Sequence, residues 1–184
     1  MRPFEYISVL LSVVISFALA HLLNGIAHII ENGFRRFSIP LAQWIAFCLF
    51  LCVDYWFTVW HARDEMSWTL GYVFQLLLQG AVIYIASRLI VPAPVTDEPI
   101  DLTAFFERNR RKFMGVLVVL AVINEATNLT LESFGSLVLG LMVIAWVVLF
   151  TVAWMWKSQS VQLAVAAANV VLTAYYAVKF VPTL

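Results

Sequence analysis

Two carboxylates, Asp54 and Glu125, stand inside helix-length apolar runs with no Lys or Arg at their depth. Charge at the centre of a bilayer costs about 3 kcal/mol or more, so such groups must be protonated, hydrogen-bonded or neutralised by a cation. Around them the polar residues recur at helical spacing. His21, Asn24, His28 and Glu31 form one stripe, and Asp54, Thr58 and His61 form a second. Tyr72, Gln75 and Gln79 form a third, Asn124, Glu125, Asn128 and Glu132 a fourth, and Gln162, Asn169, Thr173 and Tyr176 a fifth. Carboxylates in one layer and imidazoles in another suit the relay of protons or small cations. On this reading Asp54, Glu125, Asn128, Gln75, His21, His28 and Tyr176 line the path.

Other chemistries find less support. A bis-histidine haem takes ligands from facing helices. His21 and His28 lie on one helix about 10 Å apart, so they cannot share an iron, and His61 belongs at the opposite face. Only a homodimer could assemble a haem pair between protomers, and no cofactor is expected. His28-Ile29-Ile30-Glu31 lacks the second histidine of an HExxH zinc motif, and with 7 glycines there is no phosphate-cradling loop. Lys179 is too near a helix end to carry a retinal. An enzyme is therefore not expected. Cys48 and Cys52, at i, i+4 in an apolar run, read as small core fillers and not as a CxxC redox pair.

The elements that position these residues follow from composition. The chain is 63% apolar and 12% charged, with mean hydropathy +0.92. A soluble domain carries about a quarter charged residues, so the expected surroundings are lipid. Eleven basic and eleven acidic residues cancel, which argues against nucleic acid as a partner. Apolar runs at Tyr6–Ile30, Leu41–Trp60, Thr69–Ile90, Phe113–Leu131, Ser136–Trp156 and Val161–Val181 each approach the ~20 residues of a spanning helix. The expected fold is an all-α, six-span membrane protein forming one domain over residues 1–184. Residues 1–90 would be a first three-helix half and 113–184 a second, with 91–112 a cytoplasmic linker. Three is odd, so the halves would run oppositely, as inverted repeats do. Ala18-Leu19-Ala20 imitates a signal-peptidase site, but the apolar run continues to Ile30 and reads as the first span.

Orientation follows from basic residues. Arg35, Arg36, Arg88, Arg108, Arg110, Arg111, Lys112 and Lys157 fall on one side, and Arg2, Arg63 and Lys179 on the other. The positive-inside rule puts both termini outside. Trp60 and Trp68 are then expected at the outer interface, Trp44 and Trp156 at the inner one. Within the linker, Asp101 is placed to cap a short amphipathic helix, Leu102–Arg111. Arg108, Arg110, Arg111 and Lys112 would anchor it to lipid headgroups, each contributing about 1 kcal/mol.

Two stretches carry a family likeness. Phe4-Glu5-Tyr6-Ile7-Ser8-Val9-Leu10, and Phe105-Phe106-Glu107-Arg108-Asn109-Arg110-Arg111-Lys112-Phe113, resemble matching stretches in an uncharacterised group of bacterial six-helix integral membrane proteins. Members often have Tyr-Tyr where this chain has Phe105-Phe106, and Arg-Arg-Trp-Phe-Phe where it has Arg110-Arg111-Lys112-Phe113-Met114. The resemblance implies a bacterial origin and an inner-membrane location. It implies no activity.

From Leu41 to Asp54 is thirteen residues, and from Phe113 to Glu125 twelve, on helices running the same way. At ~1.5 Å per residue both carboxylates sit about 18–20 Å from the inner end. Gln75, Ser12 and Tyr175 share that level. His21, Tyr84, Thr151 and Asn169 form a more cytoplasmic layer. Ser136–Trp156 has no polar face apart from Thr151, so it is expected to be the least enclosed helix and the route to a homo-oligomer or larger complex. Two readings stay open. In one the stripes line a path for protons or small cations. In the other they are interhelical glue, at roughly 0.6 kcal/mol per bond, in an accessory subunit or assembly factor.

Overall fold

A computed structural model describes residues 3–64, 68–92, 99–130 and 137–180. Within them the chain forms six helices: α1 (Pro3–Asn32), α2 (Ile39–His61), α3 (Leu70–Ile90), α4 (Leu102–Thr130), α5 (Leu137–Met155) and α6 (Gln159–Phe180). All but α4 are long and apolar enough, over the described residues, to cross a membrane. The ends are set by local chemistry. The Ser38 hydroxyl accepts from Leu41 N, with Pro40 in the first turn where no amide partner is lost. Thr69 caps α3 in the same way at 3.3 Å. Asp101 caps α4 as expected, accepting from Ala104 N at 2.9 Å. Gly33, at φ +71°, ends α1.

The linker departs from expectation. Its short helix and the fourth apolar run are one continuous helix of 29 residues, with no break at Lys112. Leu102, Phe106, Arg110, Phe113, Met114 and Leu117 are all buried along it. That 3–4 spacing makes one stripe, so the helix docks on the bundle from Leu102 to Leu117. Below it, β1 (Phe34–Arg36) pairs in parallel with β2 (Ile100–Asp101). This small ladder lies outside the apolar runs and ties the α1–α2 turn to the start of α4. The same end of the bundle carries Arg35, Arg36, Arg88, Arg108, Arg111, Lys112 and Lys157, all exposed.

In the bundle α2 is central, touching α1, α3, α4 and α6. α1 packs on α3, α3 on α4, α4 on α5 and α5 on α6. α1 runs along α3 closely, while α4 and α6 share no comparable contact among the described residues. Gly80 on α3 is where three helices converge, since a Cβ there would meet Tyr55 Oη and Val14 Cγ1 at 3.2 Å. The Tyr55 hydroxyl donates to the Leu76 carbonyl in the same layer, at 3.0 Å. At the other side of α2, Trp44 sits fully buried among Phe47, Phe113 and Phe150, with ring centroids 5.8–5.9 Å apart. Trp44 is thus a core residue and not the interfacial belt residue its position suggested; Trp156, 51% exposed, keeps to the surface.

The outer surface is apolar. Val9, Val13 and Phe17 of α1, Leu141, Ile144 and Val148 of α5, and Val171 and Val178 of α6 are all exposed. Soluble monomers rarely present apolar patches on this scale, and the pattern fits a bundle crossing a membrane. α5 is not the least enclosed helix, because α1 and α6 each have a smaller buried share. Packing without water is driven by close van der Waals fit, so a helix needs no polar face to be enclosed. Met142, Val143, Phe150 and Ala153 bury one side of α5 between α4 and α6.

Candidate functional site

Asp54 faces the bundle interior from the middle of α2 and lines a cavity of about 100 Å³. α2 supplies Phe47, Phe50, Leu51, Asp54 and Thr58, successive turns of one face. Gln79 enters from α3, and Leu117, Leu120, Ala121 and Asn124 from α4. α5 contributes Leu139, Val143, Trp146 and Phe150, and α6 contributes Tyr176 and Phe180. Among the described residues Asp54 is the single charged residue in this wall, and no Lys or Arg joins it.

The polar groups divide by what already holds them. The Tyr176 hydroxyl hydrogen-bonds the Asp54 carboxylate, linking α6 to α2. Gln79 Nε2 donates to Asn124 Oδ1 at 2.7 Å, closing α3 on α4 beside the cavity. The Thr58 hydroxyl turns back to the Asp54 carbonyl at 3.1 Å. Deeper toward the basic end, Trp146 Nε1 donates to Asn169 Oδ1 at 3.1 Å, and Gln43 Nε2 to the Ala166 carbonyl. Around Tyr176 the aromatic rings form a cluster. Trp146 lies edge-on at 5.5 Å, Phe50 edge-on at 6.3 Å, and Phe180 stacked at 5.9 Å.

The other expected path residues are not gathered here. Glu125 follows Asn124 on α4 and so turns away from the cavity; its Oε1 lies 3.6 Å from where a Cβ on Gly140 of α5 would be. Glu125 Oε2 is buried without a hydrogen-bond partner among the described residues. Gln75 is half-buried one turn from Gln79 and outside the wall. His21 and His28 lie on α1, which contributes nothing to the cavity. His21 Nδ1 meets Arg88 Nη1 at 3.4 Å, and His28 Nδ1 meets Asn32 Nδ2 at 2.8 Å. The layered relay of carboxylates and imidazoles is therefore not assembled in one place. Asn128 is on α4, with a side chain outside the described residues, as are Glu132 and Ser136.

The basic cluster also divides. Arg108, Arg111 and Lys112 are exposed, as headgroup anchors must be. Arg110 is 2% exposed and turned inward. Its Nη1 donates to the carbonyls of Ala153, Trp154 and Trp156, the last being 3.0 Å away. Helix C-termini leave four carbonyls without intrahelical partners, and a cation there is favoured by the helix dipole. Arg110 supplies both, and Gln162 Nε2 adds bonds to the Ala153 and Trp156 carbonyls at 2.9 and 2.7 Å. Arg110 therefore holds α4 to the end of α5 and is not available to lipid.

No family model, curated protein or solved structure matches the chain. The site rests on its own geometry. Sequence spacing found Asp54 and Tyr176. It missed the wall from α5, where the signal was Trp146, a hydrogen-bond donor at mid-span in an otherwise aliphatic helix.

Proposed function

We propose that this chain is a small six-span protein of the bacterial inner membrane that passes protons or small cations through the Asp54 cavity. The observation that carries the reading is a carboxylate in a bundle interior, on a cavity wall with no basic partner among the described residues. Intramembrane carboxylates are costly, and they mark ion or proton pathways by default. The basic end of the bundle faces the cytoplasm, with both termini outside, and the fourth span is the apolar part of α4. No covalent chemistry is assigned to the chain.

The test is flux in reconstituted liposomes, read with an entrapped pH-sensitive dye and again with a potassium gradient. Wild type should leak faster than empty vesicles, and Asp54→Asn should remove the excess. Equal leak from wild type, Asp54→Asn and empty liposomes would end this reading.

A second reading is favoured by one observation. Gln79 with Asn124, Trp146 with Asn169, and Gln162 with the end of α5 hydrogen-bond across helices. These members of the polar stripes act as glue, as in an accessory subunit or assembly factor. The exposed Leu141, Ile144 and Val148 of α5 then meet a second copy or another membrane protein. Recovery of a stable complex from native membranes, lost on Ile144→Trp, would distinguish it.

A further inference from the structure

We infer that the Asp54 cavity holds a partly dehydrated alkali cation, sodium or potassium, on Asp54 and the oxygens of Thr58, Gln79, Asn124 and Tyr176. This rests on the reading of the cavity as the cation-handling site and names an occupant beyond the proton.

The wall offers oxygen acceptors whose partners are few. Gln79 is 5% exposed, and only half of its amide is used. Its Nε2 donates to Asn124 Oδ1, while Oε1 is buried with no hydrogen-bond partner among the described residues. Leaving a buried carbonyl unpaired is costly, so a group in the cavity is needed to complete it. The neighbouring oxygens keep capacity of the same kind. A carbonyl oxygen has two lone pairs, and Asn124 Oδ1 accepts one bond from Gln79. The Thr58 and Tyr176 hydroxyls give their protons to the Asp54 carbonyl and carboxylate, which leaves both oxygens as acceptors. The Trp146 N–H is likewise spent, on Asn169.

The number of acceptors argues for a metal cation as well as a proton. A proton on Asp54 supplies one new donor and leaves the other oxygens as they were. An alkali ion is held by several oxygens at once, as carbonyls replace the hydration shell in potassium filters. Charge selects the valence. One carboxylate and a monovalent ion sum to zero, whereas a divalent ion leaves a net charge inside the bundle, which is costly in a bilayer. Volume sets the degree of dehydration. At about 100 Å³ the cavity has room for the ion and several waters, since one water needs about 10–15 Å³. Wall oxygens therefore replace part of the shell and retained water supplies the rest.

The experiment is equilibrium binding of radioactive sodium, and of rubidium as a potassium congener, to the full-length protein in nanodiscs. Ionic strength is held constant with N-methylglucamine chloride. Wild type should bind at least one of the two ions saturably, and the tighter binder identifies the occupant. Asp54→Asn should weaken binding by about tenfold or more, and Gln79→Met and Thr58→Val by about fivefold or more. Thr58→Ser, which keeps the hydroxyl, should match wild type. Melting curves identify any variant that fails to fold, and the two Thr58 variants decide alone if the others do. Absence of saturable binding of both ions overturns the inference. So does unchanged affinity in Asp54→Asn, equal affinity in Thr58→Val and Thr58→Ser, or displacement by magnesium at equal concentration. Liposome flux separates this site from the transport reading. Ion binding without flux supports the site and ends transport, whereas proton flux without ion binding ends the site alone.

Discussion

The Tyr176 hydroxyl on α6 hydrogen-bonds the Asp54 carboxylate on α2, across a cavity that α5 helps to close. α2 and α6 are distant in sequence, and this bond lies away from the Gln43–Ala166 link at the basic end. Hydrogen bonds to charged groups contribute roughly 1.5–3 kcal/mol, and those between membrane helices average about 0.6. Tyr176→Phe, which keeps the ring and its contact with Trp146, should therefore lower stability by about 1 kcal/mol. Unfolding in mixed micelles of wild type and variant measures it. A difference below about 0.2 kcal/mol would mean that the bond is not formed in the bilayer.

Arg110 differs from its neighbours Arg108, Arg111 and Lys112 in what it touches. Three carbonyls at the end of α5 accept from it, while the others are exposed. Arg110→Ala should destabilise by about 2–3 kcal/mol, because a buried charged donor is lost and the carbonyls keep only Gln162 as a side-chain donor. Arg110→Lys should recover only part of this, since an ammonium lacks the planar fork. Arg111→Ala should fall within about 0.5 kcal/mol of wild type. Hydrogen exchange should quicken around the α5–α6 turn in the Arg110 variants alone.

What was legible in the sequence was the set of apolar helices and, α4 apart, their approximate ends. Ser38, Thr69 and Asp101 announce helix starts by side-chain chemistry that needs no tertiary context, and each does cap its helix. Asp54 and Tyr176 were legible because a polar residue in an apolar run must turn inward. Rotation and depth were harder. Arg110 sits in a run of basic residues that reads as one anchor, and only the continuity of α4 shows that one of them lies on the buried stripe. Trp44 near a helix end matches an interfacial anchor, yet at that level the exposed side of α2 is Ala42 and Ala46, and Trp44 is turned into the core. Gln79 and Gln75 are equivalent in a stripe, and it is the position of α4 that chooses Gln79.

Gly25 of α1 packs against Val91 just beyond α3. A Cβ at position 25 would fall 2.6 Å from Val91 Cβ, and no rotamer change moves that atom. Gly25→Ala should therefore force the helices apart and cost about 1–3 kcal/mol, despite improving helix propensity. Val91→Gly should relieve the clash, so the double variant should be more stable than Gly25→Ala alone. Thermal denaturation of the four proteins makes the cycle, and additive effects would show that the two residues do not meet.

The orientation makes a separate prediction. Glu107 is exposed on the part of α4 that lies with the basic end of the bundle. In a Cys48→Ala, Cys52→Ala background, Glu107→Cys should resist an impermeant thiol reagent added to intact cells and react after permeabilisation. The positive-inside rule requires this of the side holding most of the Lys and Arg. Rapid labelling in intact cells would reverse the orientation.

The last prediction separates the two buried carboxylates. Asp54 and Glu125 stand at similar depth by residue count, but α4 presents Asn124 to the cavity and turns Glu125 toward Gly140 of α5. A charge that never enters the cavity cannot carry a cation through it. Asp54→Asn should remove flux. Glu125→Gln keeps the shape and should change flux by less than about twofold. Its effect should appear in stability instead. Glu125 Oε2 has no hydrogen-bond partner among the described residues, and an uncompensated buried carboxylate is expensive, so the neutral amide should be neutral or stabilising. Flux and unfolding on the same two variants decide it. If Glu125→Gln abolishes flux as Asp54→Asn does, the path runs along the α4–α5 contact and the cavity beside Tyr176 is not the route.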